Sequence, residues 1–156
     1  MIDGTQEALP VRTEVQINRE KAKAIADDLN KAIADLPVQS RLSLDRNGTP
    51  SVLDNHKDGG AFRFWGSVEP RFTPTHYSST TAILKDVKLP DSVQGLSWGR
   101  TIVNAWEKAA VKRGIKYFAV TNPKAEAMGF WEKMGYVVPA SQQNRDNPYC
   151  MIKALG

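Results

Sequence analysis

One cysteine, two histidines and no long apolar run bound the chain before any motif is read. A single thiol, Cys150, excludes an intrachain disulfide and a cysteine-based zinc cluster. With so few histidines a Cys–His nucleophilic pair has thin support, and Cys150 reads as a buried, inert thiol near the C-terminal strand. No metal is expected. No apolar run approaches the length of a membrane span, so no membrane partner is expected either. Met1 to Pro10 is polar and lacks the basic, apolar and small-residue regions of a signal peptide, which leads to the expectation of a cytoplasmic protein. There is no internal repeat, low-complexity tract or dividing linker. Residues 1–156 are therefore read as a single domain, long enough to close a hydrophobic core.

The composition is that of an ordinary globular chain, 41% hydrophobic and 24% charged. The net charge of +4 is unevenly spread. Residues 1–78 hold 10 Lys/Arg against 11 Asp/Glu, and residues 79–156 hold 11 against 6. A basic C-terminal half suits a polyphosphorylated ligand or nucleic acid, and equally a solvated basic surface on helices.

Val11, Thr13, Val15 and Ile17 alternate as in a first strand, and Asn18 stands where a helix N-cap would. After it Ala22, Ile25, Ala26, Leu29, Ala32, Ile33 and Leu36 recur at helical spacing until Pro37. Arg41 to Asp45 and Ser51 to Leu53 flank Asn47-Gly48, a hairpin signal. Ala61 to Val68 is a further strand, Glu69 to Ser79 an irregular loop, and Thr80 to Leu89 a strand. Trp98, Ile102, Ala105, Trp106, Ala109 and Ala110 define a helix ended by Arg113-Gly114, with both tryptophans on its core face. Ile115 to Thr121 reads as a buried strand. Asn122 and Pro123 then read as the cap and first position of a helix that Gly135 ends. Tyr136 to Val138 and Tyr149 to Lys153 complete the strands. The order is that of an α/β (α+β) sheet covered by helices.

The stretch from Val87 to Arg100 carries the strongest functional signal. It reads as a strand, a turn of small residues, and the start of an amphipathic helix. Backbone N–H groups at such a helix start lack intrahelical partners and sit at the positive end of the dipole, a ready seat for a pyrophosphate. Further on, Asn122, Ala127, Phe130-Trp131-Glu132-Lys133 and Met134-Gly135-Tyr136 form a second signature.

Together these segments resemble the GCN5-related N-acetyltransferase (GNAT) superfamily. Its acyl-CoA signature, (Arg/Gln)-x-x-Gly-x-(Gly/Ala), is met at Gln94 and Gly99, with Ser97 where the first glycine is usual. The second signature is similar to the family's Asn…Ala…Phe-Tyr-Glu-Lys-x-Gly-Phe segment. The resemblance is close from Thr80 to Tyr136. It implies a mixed, mostly antiparallel sheet of six to seven strands flanked by helices, with a splayed strand pair at the cofactor site. It also implies acetyl-CoA as co-substrate and a primary amine as acceptor. The amides of Gln94, Gly95, Leu96, Ser97, Trp98, Gly99 and Arg100 would hold the pyrophosphate. Val87 and Leu89 would align the pantetheine arm, and Asn122 and Trp131 would border the cleft.

Family members often use a strand-four glutamate as base and a tyrosine of the second segment as acid to the thiolate. Here the tyrosine position is Trp131, whose indole N–H has no useful acidity, and the glutamate position falls near Lys85. Asp86, Glu69 and His76 stand as candidate bases, and Tyr149, Tyr136 and Ser97 as thiolate-side donors. Asp86 reads equally as a surface strand residue, His76 as a solvated loop residue, and Tyr136 as core. Catalysis by proximity alone is a further route. The acceptor is open among a small molecule, a protein lysine or N-terminus, and an aminoacyl-tRNA, with the basic half favouring an acidic or nucleic-acid-linked one. A homodimer is compatible with the sequence. Two other readings stand beside the enzyme: a non-catalytic acyl-CoA-binding or partner-binding module on the same fold, and a nucleic-acid-binding domain.

Overall fold

Thr13 starts the first helix. Its hydroxyl accepts from the Gln16 N–H at 3.2 Å while the Gln16 side chain accepts from the Thr13 N–H at 2.9 Å, a complete capping box. Helix α1 (Glu14–Ile33) follows and buries Asn18, Ala22, Ile25, Ala26, Leu29 and Ile33. This corrects the expected strand over Val11 to Ile17. Its described part, from Glu14 on, is helical, Val15 is exposed, and Asn18 is a buried position inside the helix. Local alternation yields here to two capping hydrogen bonds and a longer helical stripe. The computed structural model describes residues 13–35, 41–44, 51–54, 63–72, 79–88, 98–143 and 148–155.

The strands are β1 (Leu42–Leu44), β2 (Ser51–Asp54), β3 (Arg63–Glu69), β4 (Thr81–Lys88), β5 (Tyr117–Thr121) and β6 (Cys150–Ala154). They lie in one sheet in chain order, six strands among the described residues. Every neighbouring pair is antiparallel except β4 and β5, which run parallel and are joined through helix α2 (Trp98–Val111). This is the mixed, mostly antiparallel architecture that the resemblance implied. Of the two closing strands read from the sequence, Tyr136 to Val138 is reduced to a single bridge, Val137 with Ile152.

Helices α1 and α2 pack together on one face of the sheet. Asn30 ties α1 to the sheet edge: its amide donates to the Leu42 carbonyl at 2.9 Å and accepts from the Leu42 N–H at 2.7 Å. Beneath α2, Trp106 is fully buried and meets Phe64 edge-on at 5.6 Å between ring centroids. Gly66 of β3 lies against the same indole, and a Cβ there would fall 2.7 Å from Trp106 Cη2. The opposite face holds a smaller cluster of Phe72, Ile83, Ala119 and Cys150. Burial raises the Cys150 thiol pKa, as expected of an inert core cysteine.

Helix α3 (Met128–Lys133) is preceded by a 3-10 turn (Ala125–Ala127). Asn122 does not cap it: Asn122 has φ 49°, and the residue flanking the turn is Lys124, without a side-chain cap. Asparagine tolerates that left-handed conformation, and here it reverses the chain as it leaves β5. The end of α3 is as expected. Gly135, at φ 95°, donates to the Glu132 carbonyl and Tyr136 to the Trp131 carbonyl, both at 3.0 Å. That Schellman motif brings Tyr136 back onto Trp131, with ring centroids 5.4 Å apart.

Candidate functional site

Strands β4 and β5 stay paired only from Thr81↔Tyr117 to Leu84↔Val120. Beyond that point β4 continues through Lys85 to Lys88, while the β5 end turns away as the Asn122 N–H donates to the Tyr149 carbonyl at 2.7 Å. Among the described residues, the β4 edge facing β5 thus has no strand partner over residues 85–88. A bulge coincides with the parting: Trp65 pairs with Asp86 and Gly66 with Leu84, so Lys85 is the extra residue. Its effect is to shift the alternation, letting Val87 pack toward the main core on the same side as Leu84.

The parted strands wall a cleft of about 500 Å³, a size that suits a small-molecule or cofactor site. Gly99 and Val103 of α2 form one part of its lining, and Asn122, Ala127, Phe130 and Trp131 another. Three cations (Lys85, Lys88, Lys124) and two carboxylates (Asp86, Glu126) also border it. The cleft therefore combines apolar wall, unpaired strand edge and a small excess of positive charge.

Of the residues singled out in the sequence, Asp86, Val87, Gly99, Asn122 and Trp131 meet at this cleft. Leu89, Gln94, Gly95, Leu96, Ser97 and His76 lie outside the described residues, as does the Trp98 side chain, although Trp98 begins α2. Arg100 is exposed on the first turn of α2, and neither it nor Tyr149 is among the lining side chains. Tyr149 is half-exposed, and its carbonyl accepts from the Asn122 N–H. Asp86 accepts from Arg63 Nε at 2.9 Å. Glu69 lies further along the same strand pair, 3.3 Å from Lys85 Nζ.

Tyr136 is committed elsewhere. Its hydroxyl donates to buried Glu107 at 2.8 Å, and Lys153 Nζ donates to the other Glu107 oxygen at 2.8 Å and to the Met134 carbonyl at 2.8 Å. Burial, then the Glu107 charge, hold the phenol pKa far above its ordinary value, so Tyr136 remains a neutral donor that staples α3 to α2. Sequence reasoning missed this staple and the Arg63–Asp86 pair. Neither leaves a local spacing signal, because the partners are brought together by sheet register and helix packing. Lys124, Glu126 and Val103 also went unremarked, although the first two sit inside the second signature.

No protein-family model matches the chain, and no curated protein matches it in sequence. Among solved structures it is similar to Naa50 of Arabidopsis thaliana, solved with the bisubstrate analogue CoA-Ac-MVNAL, at 13% identity and a TM-score of 0.49 over 83% of this chain and 91% of that one. It is also similar to a protein of Desulfovibrio desulfuricans assigned to the GNAT acetyltransferases, at 15% identity and a TM-score of 0.48 over 68% and 69%. A third is the toxin AtaT bound to the antitoxin AtaR C-terminus and acetyl-CoA, at 18% identity and a TM-score of 0.44 over 59% of this chain. The match spans 57% of that AtaT chain. The chemistry is read from the cleft itself.

Proposed function

We propose that the chain is an N-acetyltransferase that takes acetyl-CoA into the cleft between β4 and β5 and passes the acetyl group to a primary amine. The observation that carries this reading is the β4 edge over residues 85–88, without a strand partner among the described residues and beside Gly99 in the first turn of α2. A pantetheine arm is a chain of amides with apolar links. An unpaired strand edge beside Val103, Phe130 and Trp131 offers it hydrogen bonds and apolar contact together. The amides of Gln94 to Arg100 would seat the pyrophosphate, Val87 and Leu89 would align the arm, and Asn122 would close the far side.

The acid–base demands are modest. The acceptor must lose a proton, and its nitrogen must attack the thioester carbonyl while backbone N–H groups stabilise the oxyanion. Asp86, held by Arg63, is suited to attract and align a cationic amine, with His76 a second candidate for the proton. Tyr149 stands off the cleft lining and Trp131 has no acidic proton. Of the thiolate-side donors this leaves Ser97, which lies outside the described residues; without it the thiolate departs unaided. Most of the acceleration comes from holding amine and thioester in contact. The basic half of the chain favours an acidic or nucleic-acid-linked acceptor.

The test is thiol release from acetyl-CoA with a panel of amines: small polyamines, lysine peptides, peptide N-termini and aminoacyl-tRNA. Release stimulated by one class supports the reading and names the acceptor. Release that stays at the buffer rate with every class, with CoA bound, favours the second reading, a non-catalytic acyl-CoA-binding module. The Arg63 clamp on Asp86 and the indole at Trp131 are what motivate that alternative.

A further inference from the structure

The residue extruded by the β4 bulge is a lysine, and it borders the cleft immediately past the last β4–β5 pair, Leu84↔Val120. Lys85 is also unusually prepared for a surface lysine. Its Nζ lies 3.3 Å from Glu69 Oε2 and 5.0 Å from the centroid of the Trp65 ring, and its side chain is only 28% exposed. Glu69 Oε2 is fixed in turn by the Ser67 hydroxyl, which donates to it at 2.7 Å. Lys88 and Lys124, the other cations on the cleft, stand exposed. The ammonium at Lys85 is thus restricted in direction, stacked on an aromatic face and in contact with a carboxylate; both contacts favour the charged form, so the nucleophile is the small neutral fraction formed when a proton passes to Glu69.

We propose that Lys85 is itself an acetyl acceptor, so that the chain modifies its own Lys85 from bound acetyl-CoA. The inference rests on the donor-binding reading given above. The Lys85 ammonium first gives one proton to Glu69. The neutral nitrogen then attacks the thioester carbonyl, the C–N bond forms, and the C–S bond breaks. CoA leaves as thiolate and is protonated to the thiol as Glu69 returns its proton through solvent, and the second nitrogen proton is released to solvent. The product is an amide at Lys85, free CoA and one released proton. Acetylation removes the charge that pairs with Glu69 and lies over Trp65, altering the surface beside the cleft.

The full chain, confirmed unmodified by intact mass, is incubated with acetyl-CoA or with desulfo-CoA. It is then followed by intact mass and peptide mapping, with CoA binding measured on the same preparations. The expected result is one acetyl group per chain, mapped to Lys85 and gained at a rate independent of protein concentration. It should be absent in Lys85→Arg and slowed on the order of 10²-fold in Glu69→Gln, which keeps its CoA affinity. Acetylation scattered over surface lysines, equally fast in Lys85→Arg or in heat-unfolded chain, overturns the proposal. So does saturated binding of acetyl-CoA with no mass gain, an outcome that leaves the donor site intact. No binding at all overturns both.

Discussion

Replacing Gly66 by alanine tests how tightly the sheet is pressed against α2. The added Cβ would lie 2.7, 3.0 and 3.2 Å from three carbons of the Trp106 six-membered ring. Ordinary carbon contacts begin at about 3.5 Å, so the closest overlap is roughly 0.8 Å. The indole has nowhere to go, being fully buried with Phe64 edge-on at 5.6 Å. Either β3 or α2 must shift, a kind of overpacking that costs about 1–3 kcal/mol. Alanine recovers about 0.5–1 kcal/mol of that by restricting the unfolded chain. A net loss centred on about 1 kcal/mol, and at most about 2.5 kcal/mol, follows, read as a lower urea midpoint at unchanged slope. Trp106→Phe removes the clashing atoms, so the double variant should be about 1 kcal/mol more stable than the sum of the two single losses. Since α2 also carries Gly99 to the cleft, Gly66→Ala alone should weaken CoA binding. A Gly66→Ala chain as stable as the parent, or strictly additive losses, would refute this packing argument.

Other expectations follow from the same geometry. Gly99→Leu sends a side chain into the cleft lining and should lower CoA affinity at least about tenfold, one hydrogen bond's worth or more; titration calorimetry reads it, and unchanged affinity contradicts the placement. Tyr136→Phe removes a donor from the buried Glu107 carboxylate while Lys153 remains, and should destabilise by about 1.5–3 kcal/mol in urea melts. Asp28 accepts from Arg113 Nη1 at 2.6 Å, and that hydrogen bond holds its carboxyl below the ordinary 3.8. The pair's contribution, about 1 kcal/mol or less, is therefore complete above the unfolded carboxyl pKa and lost as pH falls through the lower folded one. Asp28→Asn should flatten that acid limb, and an unchanged pH profile would show that the pair contributes nothing.

Much of the framework was legible because its signals are local. The α2 stripe ending in Gly114, the Schellman end at Gly135, and the strands around Thr81–Lys88 and Tyr117–Thr121 all depend on neighbours within a turn or a pleat. Thr13-x-x-Gln16, a capping-box signature, was also in the sequence, but the alternation of Val11, Thr13, Val15 and Ile17 outweighed it and concealed the first turn of α1. The bulge at Lys85 could not be read, since a single extra residue shows only in the register against β3. Asn122 was misassigned because an N-cap and a left-handed turn favour the same residue type. Of the cleft lining, Gly99, Asn122, Ala127, Phe130 and Trp131 fall within the two motifs, while Val103 went unremarked. The ion pairs that tie Asp86 to Arg63 and Lys85 to Glu69 depend on strand pairing across 16 residues or more.

The central claim is that the parted β4 and β5 form a CoA site. Calorimetric titration of the chain with acetyl-CoA and with desulfo-CoA, repeated on Gly99→Leu, tests it most directly. Micromolar binding of both ligands to the parent chain, weakened by the substitution, is the expected result. Absence of binding at millimolar ligand, or binding that Gly99→Leu leaves untouched, would contradict it.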